Sequence, residues 1–420
     1  MTARAVERMA EPGPDVPRVG WLDGLRGIAA MQVVLLHYAS AFLPAMVFSG
    51  PTRDPDTWAA MFISTPLGFL VDGSSAVYLF FIMSGVALTY AFSTRPYAFL
   101  TGAIRRVVRL GLPMAASIIL AVALFSLIPA AHFAAAEISG SEWLHTINPQ
   151  RMTLAAVVHQ VTFEGMLAGY TPWSLLPKPG ISALGLVSEG RSFNPPLWTL
   201  HIEFYGSVLV LTLVALRASV RPQIYYLVVA VTGVCFALSL LSLFIVGHLA
   251  AGLLARTGGR RWQTVLGATS LAAGIILCSV GTPSVIARLH RLLPFPPIGL
   301  PGDEQILQKM IGAILVFGGV AMLPVLRRIL ECPVLRWLGA ISFSLYLSHF
   351  PLLFTLVALG FTHLAGLMPY GVATAISTIT GILASFALAA LFERHVDRPA
   401  IRLSRRAGLA GRGRVTSVPA

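Results

Sequence analysis

Apolar residues in this chain come in long runs, separated by short polar or arginine-rich stretches. A helix needs about 20 consecutive apolar residues to cross the hydrocarbon core of a bilayer. Ten segments reach or approach that length: 27–48, 76–92, 110–132, 196–216, 223–240, 241–256, 262–282, 309–326, 337–361 and 370–392. The fifth and sixth form one apolar stretch too long for a single span, so a tight turn is placed near 239–242. No internal repeat at a fixed period is visible. The pattern predicts an all-α fold, a polytopic membrane bundle of about ten transmembrane helices.

Composition agrees. Hydrophobic residues make up 56% of the 420 residues and charged residues only 11%, against about 25% charged in a soluble globular chain. Such a chain cannot cover itself with polar groups, and the lipid bilayer becomes part of its solvent. The net charge of +13 comes from 30 basic residues, 28 of them Arg. They cluster between the apolar runs, as the inner loops of a membrane protein do, and this excludes nucleic acid as a partner. With the N-terminus inside, 23 basic residues fall in inner segments and 7 in outer ones. Both termini are therefore expected to be cytoplasmic.

Residues 151–168 are moderately apolar, but an eleventh span there would turn every later arginine cluster outward. The stretch 133–195 thus reads as one outer segment containing an interfacial or re-entrant helix. A second outer loop, 283–308, contains Pro294, Pro296, Pro297 and Pro301. The expected organisation is a cytoplasmic tail over 1–20, a membrane domain over 21–393 and a basic cytoplasmic tail over 394–420. Arg26, an apolar run and Ala39-Ser40-Ala41 imitate a signal peptide. The apolar run continues past that site to Phe48, and the segment reads as a retained helix. Cys235 and Cys278 fall in apolar runs and read as packing residues, and no Cys pair has metal-ligand spacing.

Ionisable residues inside a membrane are costly and mark function by default. His37 lies eleven residues after Arg26, about 16 Å along a helix and close to three turns. The two share a face, with Asp23 near it. Arg105, Arg106 and Arg109 sit at the expected inner end of the third span, where guanidinium groups could grip phosphates or simply anchor the helix. In Pro195-Pro196-Leu197-Trp198-Thr199-Leu200-His201-Ile202-Glu203, Pro196 suits a first helical turn. That places Glu203 two turns in, expected in the outer half of its span, on a polar stripe with Thr199 and Ser207. His37 is its expected partner. Ser342, Tyr346 and His349 share another helix face, beside Pro351. No nucleophile elbow, Walker loop, zinc-protease motif or dinucleotide fingerprint occurs.

Taken together, Trp21-Leu22-Asp23-Gly24-Leu25-Arg26-Gly27 with His37, Phe80-Phe81-Ile82-Met83-Ser84-Gly85, Arg106-x-x-Arg109, Pro196-Leu197-Trp198 with Glu203-Phe204-Tyr205, and Ser342-Phe343-Ser344-Leu345-Tyr346 with His349 resemble the acyltransferase 3 family of membrane acyltransferases. The motifs occur in the family's order across 21–351. Met83, Val86 and His201 depart from its usual residues. The resemblance implies transfer of an acyl group, commonly acetyl, from acyl-CoA as co-substrate to a hydroxyl of a glycan, glycolipid or secondary metabolite. It implies no permanently bound cofactor, no metal, and a bacterial inner membrane.

On this reading Arg26, Arg105, Arg106 and Arg109 bind the donor. His37 serves as general base or transient acyl carrier, with Glu203 orienting it. Asp23, Ser84, Trp198, Tyr346 and His349 line the cavity. A transporter or flippase for a glycan or lipid-linked substrate is the alternative that a helix count alone also allows.

Overall fold

The computed structural model describes residues 19–48, 58–94, 99–175, 186–254, 261–279 and 304–410. Most of the outer loop 283–308 and both chain ends, 1–18 and 411–420, lie outside the described residues. Among the described residues the structure is helical, with one isolated bridge between Thr171 and Ser188 and no strand.

Ten helices follow the ten apolar runs: α1 Gly20–Phe42, α2 Gly73–Thr94, α3 Phe99–Leu127, α4 Trp198–Ser219, α5 Pro222–Cys235, α6 Leu241–Leu254, α7 Arg261–Cys278, α8 Glu304–Met322, α9 Pro333–Leu352 and α10 Tyr370–Phe392. An eleventh, α11 Arg398–Ala410, continues from α10. Seven of these segments are long and apolar enough to cross a membrane, which makes the chain a multi-pass membrane bundle. The fifth and sixth expected spans are only 14 residues each, about 21 Å and short of the roughly 30 Å core. They form a hairpin turned at 236–240, close to the expected turn. Cys278 is buried, but Cys235 is exposed rather than packed.

The first and third helices begin furthest ahead of their apolar runs. The third starts at Phe99, not near 110, so Arg105, Arg106 and Arg109 stand two to three turns inside it. Hydropathy reads arginines as loop; here the helix runs on because two of them find carboxylate partners. The first starts at Gly20, which brings Asp23 and Arg26 onto the helix that carries His37. Ala39, Ser40 and Ala41 are buried within it, as expected for a retained helix.

α1 and α9 pack closely because glycine lets their backbones meet. A Cβ on Gly27 would lie 2.8 Å from the Gly339 amide nitrogen, and one on Gly339 would lie 2.0 Å from the Asp23 carbonyl oxygen. Pro351 has no N–H, so the Leu347 carbonyl four residues earlier loses its helical donor. Ser117 Oγ (2.7 Å) and Asn194 Nδ2 (2.9 Å) donate to it instead. The helix continues through a π turn at Leu353–Val357 to Ala365.

Those two bonds also fix depth. Asn194 precedes α4 and touches Ser117, ten residues short of the end of α3, so α4 begins about 15 Å below that end. The segment 133–195 dips into the bundle to reach this point. Its helix Leu154–His159 runs into a π turn, Gln160–Ala168, packed on α4 and α3. His201 staples it there. Its Nδ1 bonds the Leu167 carbonyl (3.0 Å), and its Nε2 accepts from the Leu175 amide (2.9 Å).

Candidate active site

Three cavities follow one another through the bundle. The first, about 690 Å³, is lined by Asp23, Arg26, Arg109, Arg336, Glu393 and Asp397 among others. The second, about 300 Å³, shares Arg26 and Arg109 with it and adds Ser84, Arg106, Thr199 and Glu203. The third, about 230 Å³, holds His37, Trp143, Trp173, Glu189, Trp198 and Phe350. The second and third have only Val77 and Tyr346 in common. One face of α9 lines the whole series: Ser342 sits at the first two chambers, Tyr346 at the boundary, and His349 behind His37.

The arginines of the middle chamber are built in. Arg106 Nη2 lies 2.7 Å from Glu203 Oε1, and its Nε donates to Ser207 Oγ at 2.8 Å. The polar stripe on α4 is therefore real, but Glu203 pairs with Arg106 and not with His37. Two corrections follow. Because α4 starts deep in the bundle, Glu203 stands level with Arg106 instead of in the outer half. It also lies across Tyr346 from the histidine it was expected to orient. Arg109 is held by both oxygens of Asp397 and lies 5.1 Å from the centre of the Phe343 ring. Asp397 was hidden in the sequence among the tail arginines; a π turn at Glu393–Asp397 carries it back to α3. Arg26 makes no ion pair among the described residues. Arg105 does not line these chambers, since it is turned about 100° from Arg106 on the helix. The expected arginine triplet becomes Arg26, Arg106 and Arg109.

His37 stands between two parallel rings, Trp143 at 5.5 Å and His349 at 5.1 Å, with the edge of Phe350 at 5.3 Å. Its Nδ1 lies 2.8 Å from His349 Nε2, and His349 Nδ1 lies 2.7 Å from the Leu345 carbonyl oxygen. A carbonyl can only accept, so Nδ1 of His349 carries a proton. In the neutral ring Nε2 is then an acceptor, and it takes the Nδ1–H of His37. The chain of bonds leaves a lone pair on His37 Nε2, in a side chain that lines the third chamber. His349 itself is fully buried and lines no chamber; the expectation that it faces a cavity is replaced by a place behind His37.

One wall of the third chamber comes from 133–195, whose fold hydropathy does not describe. Trp173 stacks on Trp198 at 4.4 Å, and its Nε1 donates to Glu189 Oε2 at 2.7 Å. Burial pushes the Glu189 carboxyl above its ordinary pKa, and the Trp173 bond partly opposes this. Trp143, Trp173 and Glu189 were not singled out from sequence. The available signal was three aromatic or acidic residues in an outer segment too long to be a plain connection.

A family model described as "Acyltransferase domain" matches residues 19–394 of the chain. The chain is 26% identical over 425 residues to the O-acetyltransferase PaAT-1 of Phomopsis amygdali, covering 92% of this chain and 83% of that protein. No solved structure matches.

Proposed function

Since the chain belongs to the acyltransferase 3 family and is a membrane O-acyltransferase, we propose that it moves an acetyl group from cytoplasmic acetyl-CoA to a hydroxyl that enters from the other side of the bilayer. Family membership favours this enzyme over the transporter or flippase. The acetyl group is carried over from the relative's name. The cytoplasmic donor rests on the arginine chambers, which lie on the basic face of the bundle.

The observation that carries the reading is the His37–His349 pair, with His37 in the third chamber across Tyr346 from the arginine-lined middle chamber. Guanidinium groups line one side, as phosphates and a diphosphate linkage require. Arg26, without an ion pair among the described residues, is the cation an incoming anion would meet. On the other side the lone pair of His37 Nε2 is open to a hydroxyl. In the proposed reaction, Nε2 takes the hydroxyl proton while the acceptor oxygen bonds to the thioester carbonyl carbon. The C–S bond then breaks, and the leaving sulfur recovers the proton from His37, giving the ester and free CoA. Glu203 serves by holding Arg106 rather than by touching His37. The thioester has to pass Tyr346 for this to occur.

The test is CoA release by purified protein given acetyl-CoA and hydroxyl acceptors, with His37→Ala as comparison. Loss of transfer by about 100-fold or more with acetyl-CoA binding retained is expected for a general base. Full transfer by a folded His37→Ala protein would refute the role. Accumulation of a labelled acetyl-protein that needs His37 would instead mark the covalent route.

A further inference from the structure

Among the described residues that line the third chamber, Glu189 is the one acidic or basic side chain beside the neutral His37. Glu189 is pre-positioned. Its amide donates to the Thr171 carbonyl (3.0 Å), and its carbonyl accepts from the amide (3.1 Å) and hydroxyl (2.7 Å) of Ser192. The next two residues are tied as well, with Asn148 N–H on the Gly190 carbonyl (2.8 Å) and Gln150 N–H on that of Arg191 (2.9 Å). One carboxylate oxygen, Oε2, accepts from Trp173. Among the described residues the other, Oε1, has no partner, and no cation lines this chamber to neutralise the group. A half-buried carboxylate with one open oxygen, on a wall that also holds the base, is a hydrogen-bond acceptor waiting for a donor.

The tryptophans define what that donor belongs to. Trp173 and Trp198 stack on each other, so they present a slab and not a box closed around a point charge. A slab favours a flat molecule with an apolar face, and the single carboxylate favours hydroxyl donors on its rim. It also repels an acceptor carrying phosphate or carboxylate, since no compensating cation stands among the described residues that line the chamber.

We propose that Glu189, backed by Trp173, is the acceptor-selecting residue of this enzyme. It takes a hydrogen bond from a second hydroxyl of an uncharged ring acceptor and excludes anionic ones. This rests on the acyl-transfer reading above and goes beyond it. The acceptor is recognised as a free, uncharged molecule, and a sugar phosphate or lipid diphosphate conjugate is rejected.

The test uses the full-length protein in detergent or vesicles, with labelled acetyl-CoA and paired acceptors. Alkyl glycosides and polycyclic alcohols with more than one hydroxyl are each set against the phosphate monoester of the same compound. Acetyl-CoA binding is measured alongside. Wild-type protein is expected to acetylate at least one neutral member, with a kcat/KM at least ten-fold above its phosphate. Glu189→Gln should raise the neutral acceptor's KM several-fold and shrink the neutral-to-phosphate ratio by ten-fold or more. Glu189→Lys should shrink it further, and acetyl-CoA affinity should stay within two-fold in both. A ratio unchanged by both variants overturns the proposal, as does wild-type use of phosphates as good as that of neutral compounds. If acetyl-CoA binds but no neutral acceptor is used, the acceptor assignment falls while the donor side stands. If acetyl-CoA does not bind at all, the acyl-transfer reading falls with it.

Discussion

His37 and His349, 312 residues apart in the chain, are joined by a 2.8 Å bond between Nδ1 of the first and Nε2 of the second. The bond gives His37 a defined tautomer, as a buried acid does for a catalytic histidine elsewhere, but with no charge brought into the bundle. A carboxylate here would face the desolvation cost of a buried ion. A neutral imidazole tied to the Leu345 carbonyl orients its partner at lower cost. It also stabilises a protonated His37 less than an anion would.

The first prediction separates orientation from packing. His349→Ala should lower kcat by about 100-fold or more, the scale of positioned general-base catalysis, with acetyl-CoA affinity little changed. His349→Gln keeps an acceptor for the His37 Nδ1–H and should retain at least ten-fold more activity than the alanine variant. Equal losses in steady-state kinetics would remove the orienting role.

The Arg109–Asp397 pair allows stability and binding to be read apart. Arg109→Leu leaves Asp397 buried without its partner, a change that costs about 3–5 kcal/mol when a pair is fully buried. Arg109 is 24% exposed in its side chain, so a smaller loss is expected. Arg109→Leu with Asp397→Leu should recover most of the thermal stability, because apolar replacement of a buried pair is often neutral. Acetyl-CoA affinity should remain low in both. Recovery of affinity in the double variant would show that Arg109 serves structure alone.

Much of this was legible in the chain. The apolar runs gave the helices, and the Arg26-to-His37 spacing put both on one face of α1. Of the shared face of Ser342, Tyr346 and His349, the first two line the chambers and His349 stands behind His37. What hydropathy could not give was depth. Where α4 begins depends on Asn194 reaching the Leu347 carbonyl freed by Pro351, a contact 153 residues distant in sequence. With α4 placed too far out, Glu203 was matched to His37, and its true partner Arg106 was left to phosphates. Asp397 was missed for a related reason, since a carboxylate among arginines reads as tail until a π turn brings it to α3.

The glycine contact between α1 and α9 sets the histidine geometry from a distance. Gly339→Ala places a methyl group 2.0 Å from the Asp23 carbonyl oxygen, so the helices must part. A loss of stability of about 1–3 kcal/mol is expected from such overpacking, with reduced kcat as the His37–His349 bond lengthens. Gly360→Ala, where nothing lies within 4 Å, should be neutral or stabilising by up to about 1 kcal/mol through helix propensity. Thermal unfolding and CoA-release rates of the two variants check both effects.

Tyr346 is the last and most direct test of the chamber series. Its hydroxyl donates to the Pro196 carbonyl (2.6 Å) and accepts from Thr199 Oγ1 (3.0 Å), which holds the ring across the boundary between the arginine and histidine sides. Tyr346→Phe loses those bonds but keeps the ring, so the partition should survive. Tyr346→Ala removes the ring and joins the two chambers. Water from the histidine side then reaches the thioester, and CoA release without acceptor should rise several-fold in the alanine variant but not in the phenylalanine one. Ser84 lines only the middle chamber and provides an independent reporter. In vesicles, Ser84→Cys should react with an impermeant maleimide applied on the histidine side only when combined with Tyr346→Ala. Labelling from that side with Tyr346 intact would mean that the two chambers are already one, and that the tyrosine controls neither water nor substrate.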